Sequence, residues 1–149
     1  MINYPDAVDE LRNLFNVNFQ TLPTSILSYV PDIHWEGVEL SSDIDTSKFW
    51  IRFSERSSGT NQSSLRNDGL VKRYRNRGFV FVQVFCPVSV EGSMNTGRRI
   101  ADFVKKIFQG HSISGNIWFR ETRVQTLDPE NLWYRFNVIA EYQHDEEGS

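Results

Sequence analysis

The spacing of apolar residues predicts a helix near the start of the chain. Its apolar side chains recur at intervals of three and four, which places them on one stripe: Val8, Leu11, Leu14, Phe15 and Phe19. Asp6 is the expected N-cap, because a carboxylate there accepts from free backbone amides and is favoured by the helix dipole. Pro23 ends any continuation, and residues 24–31 read as a connector.

A second helix is expected over residues 93–109. Ser93 is a candidate N-cap, and Gly110 stands where a left-handed C-terminal cap belongs. Gly97 and Ala101 lie four residues apart in its apolar stripe. Small residues at this spacing predict that the helix backbone approaches a sheet closely.

Alternation of apolar and polar residues predicts five strands. They are expected at 33–40, 48–54, 79–88, 116–124 and 132–143. The third is apolar on both faces, with Val80, Val82 and Val84 on one side and Phe79, Phe81 and Phe85 on the other. A strand of this kind needs cover on both sides. Two helices cover one face of a sheet, so the second face is expected to meet another subunit.

The order of these elements predicts an α+β fold in a single domain spanning residues 1–149. We expect a mostly antiparallel sheet of about five strands, with two helices packed on one face and a long polar arm. Val80, Val82, Val84, Phe136 and Val138 are the expected core beneath the helices. The acidic end of the chain, about residues 144–149, is expected to be a flexible tail.

The predicted arm covers about residues 55–73 and is rich in Ser, Gly, Asn, Gln and Arg. Such a stretch buries too little apolar surface to offset its own ordering entropy. Long irregular loops in compact domains are usually functional. We therefore expect a hairpin arm that orders against a neighbouring molecule.

A basic cluster lies in and after this arm. It consists of Arg66, Lys72, Arg73, Arg75 and Arg77, with Tyr74 interleaved. Three interpretations are open: contact with a protein neighbour, a solvated edge that keeps the apolar strand soluble, or contact with DNA phosphates. We favour the protein neighbour, because planar guanidinium groups are common at interfaces.

Composition adds exclusions. The net charge of −3 gives no general nucleic-acid signature, and the single Cys86 cannot form an intramolecular disulfide. Cys86 sits in an apolar run and is expected to be a buried free thiol. No signal peptide and no membrane-spanning run is recognised, so a reducing cytoplasm is expected unless the chain travels in a larger particle.

No motif in the sequence indicates catalysis, a cofactor or a metal site. His34 and Glu36 form an H-x-E, but zinc deaminases also need a downstream P-C-x-x-C, which is absent. Glu39, Asp43 and Asp45 are expected to be solvated turn carboxylates. His111 and His144 are expected at the surface. No nucleophile elbow or phosphate-binding glycine loop occurs.

Three stretches, in this order and spacing, resemble the tail terminator (tail-completion) proteins of long-tailed phages. The resemblance spans nearly the whole chain, from Val8 to Tyr142, with residues 24–31 longer than that pattern. The stretches are Ile33–Val38, Tyr74–Pro87 followed by Glu91-Gly92 and the helix containing Ala101-Asp102, and Trp133–Val138.

The resemblance implies a virion structural subunit without enzyme activity. Such subunits close into a six-fold ring on the last layer of the tail tube, stop tube polymerisation and offer a surface to the head. The implied partners are further copies of the chain, the tail tube protein and a head-completion or connector protein, while DNA passes through the ring without sequence-specific binding. The implied location is the virion tail or neck, with the host cytoplasm during assembly.

The residues expected at a subunit or tube interface are the basic cluster and the second aromatic face: Arg66, Lys72, Arg73, Tyr74, Arg75, Arg77, Phe79, Phe81 and Phe85. Two alternatives stay open. One is a head–tail connector of the phage neck, which would bind portal or adaptor protein. The other is a small non-viral ligand-binding or enzymatic α+β domain, which would have a pocket with convergent polar groups.

Overall fold

A computed structural model describes residues 2–40, 43–65, 72–109, 112–113 and 116–148, with the backbone alone at 60–65, 72–73, 112 and 147–148. The elements in chain order are α1 (Tyr4–Phe19), β1 (Asp32–Trp35), β2 (Trp50–Leu65), β3 (Lys72–Pro87), α2 (Ser93–Phe108), β4 (Ser112–Ile113), β5 (Ile117–Glu130) and β6 (Trp133–Gly148). The strands form one sheet in the order β1-β2-β3-β6-β5-β4. All pairs are antiparallel except β1 with β2. The predicted α+β class is confirmed.

The core lies between the sheet and the two helices, as the apolar pattern predicted. The five expected core residues of β3 and β6 are at most 1% exposed. They pack with the buried stripes of α1 and α2, and each buried side chain contributes about 2 kcal/mol. A Cβ built on Gly97 would lie 2.3 Å from Cys86 Sγ, so α2 does approach the sheet as closely as its small residues indicated.

Both helix starts differ from the sequence prediction. α1 begins at Tyr4, and its N-cap is Asn3, whose Oδ1 accepts from the Asp6 backbone N–H at 2.9 Å. Asp6 lies inside the first turn because Pro5, which lacks an N–H, fits there without losing a hydrogen bond. α2 begins at Ser93 with Gly92 as N-cap at φ +72°. The predicted C-cap Gly110 lies outside the described residues.

Strand boundaries also differ. β1 is shorter than predicted, because the chain turns at Gly37 with φ +79°. β5 is longer than predicted and reaches Glu130, so the turn to β6 falls at Asn131, where φ is +52°.

The predicted arm and tail are both parts of the sheet. Residues 55–65 continue β2, and β6 runs on to Gly148, whose Cα is paired with that of Lys72. Residues 56–65, 72–79 and 141–148 thus form three paired strands, here called the three-stranded arm. Each long strand has 16 residues and spans about 50 Å.

Residues 144–148 are thus part of β6, and the expectation of a surface His144 is wrong. His144 is 0% exposed and Asp145 is 6% exposed. The backbone N–H of Ile2 donates to the Asp145 carbonyl at 3.1 Å, and Arg75 holds the Asp145 carboxylate. Strand pairing satisfies the backbone polar groups that an acidic tail would otherwise leave to water. His111 lies outside the described residues.

A buried carboxylate lies where the three-stranded arm leaves the core. Glu55 is 5% exposed and accepts hydrogen bonds from the hydroxyls of Tyr142 and Tyr4. Burial, followed by the bond to Glu55, raises the pKa of Tyr142 far above its ordinary value. The bond to Glu55 is the main cause that raises the pKa of Tyr4 to about 12. Both tyrosines thus remain donors to this carboxylate.

Candidate functional site

The face of the sheet opposite the helices is built from side chains of β2, β3, β5 and β6, and is here called the helix-free face. Antiparallel register places cross-strand partners on the same face. Its rows across β2, β3 and β6 are Trp50, Phe85 and Arg135; Arg52, Gln83 and Asn137; Ser54, Phe81 and Ile139; and Arg56, Phe79 and Glu141.

One end of this face is covered from within the chain. The Phe85 ring stacks on the Trp50 indole with centroids 3.8 Å apart, and Trp133 meets both rings edge-on. The Arg52 guanidinium lies 5.0 Å from the Phe85 centroid, within cation–π range. Phe85 is therefore 3% exposed. Phe85 lies on the same face as Phe79 and Phe81, as predicted, but side chains of its own chain already cover it.

The middle of the face is less well covered. Phe79 and Phe81 lie 6.0 Å apart between ring centroids and are only half-buried. Ile139, directly opposite Phe81, is 6% exposed. No described helix packs over these side chains. Phe79, Phe81 and Ile139 form the apolar strip of the helix-free face.

Four of the eight buried side-chain polar atoms that lack a hydrogen-bond partner within the described residues lie on this face. Gln83 Oε1, Asn137 Oδ1, Trp50 Nε1 and Arg77 Nε are all buried, and within the described part of the chain none has a hydrogen-bond partner. A buried polar atom without a partner costs about 1–3 kcal/mol.

The residues of the predicted basic cluster differ in their partners and in the face of the sheet on which they lie. Arg75 is committed within the chain, because its Nε lies 3.0 Å from Asp145 Oδ1 and its second nitrogen 3.3 Å from Oδ2. Arg77 makes no ion pair with any described residue and points to the helix-free face, in register with Gln143. Tyr74 lies on the opposite side of β3 and is half-buried. Lys72 and Arg73 belong to β3 without described side chains, and Arg66 lies outside the described residues.

The loop from β1 to β2, residues 36–49 and here called the crossover loop, borders the helix-free face. A hollow of about 430 Å³ joins them, with Val38 and Leu40 on the loop side and Arg52, Ser54 and Gln83 on the sheet side. Val38 is 60% exposed and Leu40 is 52% exposed. The loop therefore extends the apolar surface beyond the edge of the sheet.

The candidate chemistry does not assemble in the described part of the chain. The His34 ring stacks on Trp50, and burial lowers its pKa. Among the described ranges, no three His, Cys, Asp or Glu side chains come together as metal ligands. Burial raises the pKa of Cys86 to about 12, and the expected buried thiol is confirmed. No helix in these ranges is long and apolar enough to cross a bilayer.

No protein-family model matches the chain, and no curated protein matches it. A solved structure does, with a TM-score of 0.57 at 14% sequence identity, covering 89% of this chain and 94% of that one. At this identity the likeness shows a shared fold alone.

Sequence reasoning missed two parts of this surface. Ile139 went unnoticed because its neighbours on the same face of β6 are polar, although an isoleucine at that position was itself a signal. Val38 and Leu40 were assigned to a strand over 33–40, which hid their exposure. The positive φ at Gly37 ends that strand, and a glycine in the pattern was the available sign.

Proposed function

We propose that this protein is a structural subunit of a closed homo-oligomeric ring that terminates the tail tube of a long-tailed phage. In this proposal the ring ends tube polymerisation, gives the head its attachment surface and lets DNA pass through its lumen. The chain acts in the virion tail or neck and performs no catalysis. The resemblance in order and spacing of the three sequence stretches supports this family, and the helix-free face supports contact between subunits.

The observation that carries the proposal is the half-buried pair Phe79 and Phe81 on a sheet face without helix cover. We infer that a neighbouring copy covers this face. Contacts between two different surfaces of identical subunits close into a ring when the rotation permits.

The test uses the full chain together with the tail tube protein of the same phage. Tube protein alone should polymerise without control of length, and adding this protein should cap the tubes with rings visible by negative-stain microscopy. Tubes of uncontrolled length with bare ends would overturn the proposal. Binding to portal or adaptor protein, with no binding to tube ends, would identify a neck connector instead.

A further inference from the structure

The proposed ring needs a second surface that receives the helix-free face and its bordering loop, and the helix layer carries a candidate. A groove of about 390 Å³ lies on the outer side of α2, with Ile26 and Phe103 as its apolar members. Its rim carries Arg98, Arg99, Asp102 and Lys106. In a two-layer domain this groove and the helix-free face point in opposite directions, so one copy offers both at once.

Charge distinguishes the groove from the crossover loop. The groove rim has three cations and one carboxylate, and the carboxylate of Asp102 is taken by Lys106 at 3.0 Å. Arg99 has no ion pair with any described residue. The rim is therefore a cationic border around an apolar floor.

The crossover loop has the opposite character. Over residues 36–49 it carries four carboxylates and one cation, Lys48, whose Nζ lies 5.7 Å from the centroid of the Tyr29 ring. Glu36 is paired with Arg56, whereas Glu39 and Asp43 make no ion pair within the described residues. The exposed side chains of Val38 and Leu40 lie among these carboxylates. The loop thus presents apolar side chains within an anionic border.

We propose that the crossover loop of one copy docks in the α2 groove of the next copy, with Leu40 on Ile26 and Phe103 and with Glu39 and Asp43 facing Arg99 and Lys106. This inference rests on the proposed ring and names the two surfaces that meet between neighbouring copies. The occupant is a second copy because loop and groove match in both apolar content and charge. The hollow shared by the loop and the sheet makes this contact continuous with the helix-free face. Opposite charges in register also favour one partner orientation over others.

The test is a charge-reversal cycle on the full chain, read by analytical ultracentrifugation and mass photometry over a concentration series. Glu39→Lys with Asp43→Lys should raise the concentration for half-assembly at least about tenfold, and Arg99→Glu with Lys106→Glu should do the same. Combining all four substitutions restores the charge match and should return assembly to within about threefold of the original protein. Asp9→Lys, an exposed change on α1, is the matched control and should leave assembly unchanged.

A second measurement reports proximity directly. Leu40→Cys combined with Ile26→Cys should give, on mild oxidation of assembled protein, a ladder of disulfide-linked oligomers, while each single variant should not.

The outcomes separate the two proposals. Rings that are insensitive to either reversal, without the ladder, overturn the loop-in-groove contact and leave the ring standing. A protein that stays monomeric at every concentration and beside tube ends overturns both. Rings lost in each reversal but not restored in the combination also overturn the contact, because a matched pair must recover.

Discussion

The Phe85 ring lies parallel to the Trp50 indole, 3.8 Å away between centroids and 7° apart in plane. Two aromatic residues on adjacent strands thus cover each other on a face that no described helix covers. Because these two rings bury each other, the end of the helix-free face that contains them is shielded from solvent. The middle of the face, which contains Phe79 and Phe81, is only half-buried. Substitutions in the two regions are expected to affect different properties.

Trp50→Ala should lower the free energy of unfolding by about 3–4 kcal/mol, because it removes the 5% exposed indole that covers Phe85 and leaves a cavity. Urea denaturation followed by circular dichroism measures this loss. Phe81→Ala is the matched comparison on the same face, and half-burial limits its cost to about 1–2 kcal/mol. Phe81→Ala should nevertheless weaken assembly more than the stability loss explains. Equal stability losses with unchanged assembly would contradict the division of this face.

Arg77→Ala should weaken assembly without lowering the free energy of unfolding by more than about 0.5 kcal/mol, because Arg77 makes no ion pair with any described residue and its buried Nε has no hydrogen-bond partner there. Arg75→Ala is expected to cost about 1 kcal/mol of stability, since it leaves the Asp145 carboxylate without its bidentate partner. Sedimentation velocity and urea denaturation on both variants separate the two effects. A larger stability loss for Arg77→Ala than for Arg75→Ala would show that Arg77 supports the fold.

Tyr142→Phe should lower stability by about 1.5–3 kcal/mol, because the buried Glu55 carboxylate loses one of its two tyrosine donors. Tyr134→Phe is the control, since the Tyr134 hydroxyl makes no hydrogen bond within the described chain. Thermal and urea unfolding of the two variants give the comparison. If both cost the same, the hydroxyl of Tyr142 adds nothing beyond its ring.

Cys86 should resist a thiol reagent at pH 8 in the folded protein and react fully in denaturant. Burial raises the pKa of its thiol from 9.0 to about 12, and the thiolate is the reactive form. The same shift predicts that stability falls as pH rises from about 9 towards about 12. In that window the unfolded chain releases the thiol proton and the folded chain retains it. Rapid labelling of folded protein at pH 8 would contradict this placement.

Gly97→Ala should destabilise the protein by about 1–3 kcal/mol, although alanine favours helices, because the new methyl group would meet Cys86 Sγ at 2.3 Å and the Phe136 ring at 2.9 Å. Adding Cys86→Ala should recover part of this loss, as one of the two obstructions is removed. Asn95→Ala, an exposed site on α2, is the control and should be neutral or slightly stabilising. A stable Gly97→Ala protein would mean that α2 lies farther from the sheet.

Local patterning predicted both helices, parts of five of the six strands, the fold class and the helix-facing core. The stripe containing Phe15 repeats with the period of a helix, and Val80, Val82 and Val84 repeat with the period of a strand. Residues that share a buried face can therefore be recognised from their spacing along the chain. The same alternation placed Phe79, Phe81 and Phe85 together on the second face.

Tertiary structure decided which of those residues remain exposed to solvent and whether the polar segments pair as strands. Phe85 is shielded by Trp50 and Trp133, which lie 35 and 48 residues away in the chain, and no local pattern contains that information. Residues 55–65 and 144–148 read as an arm and a tail because neither has an apolar periodicity. They are ordered by backbone pairing with β3, and those hydrogen bonds are made by main-chain groups that every sequence carries.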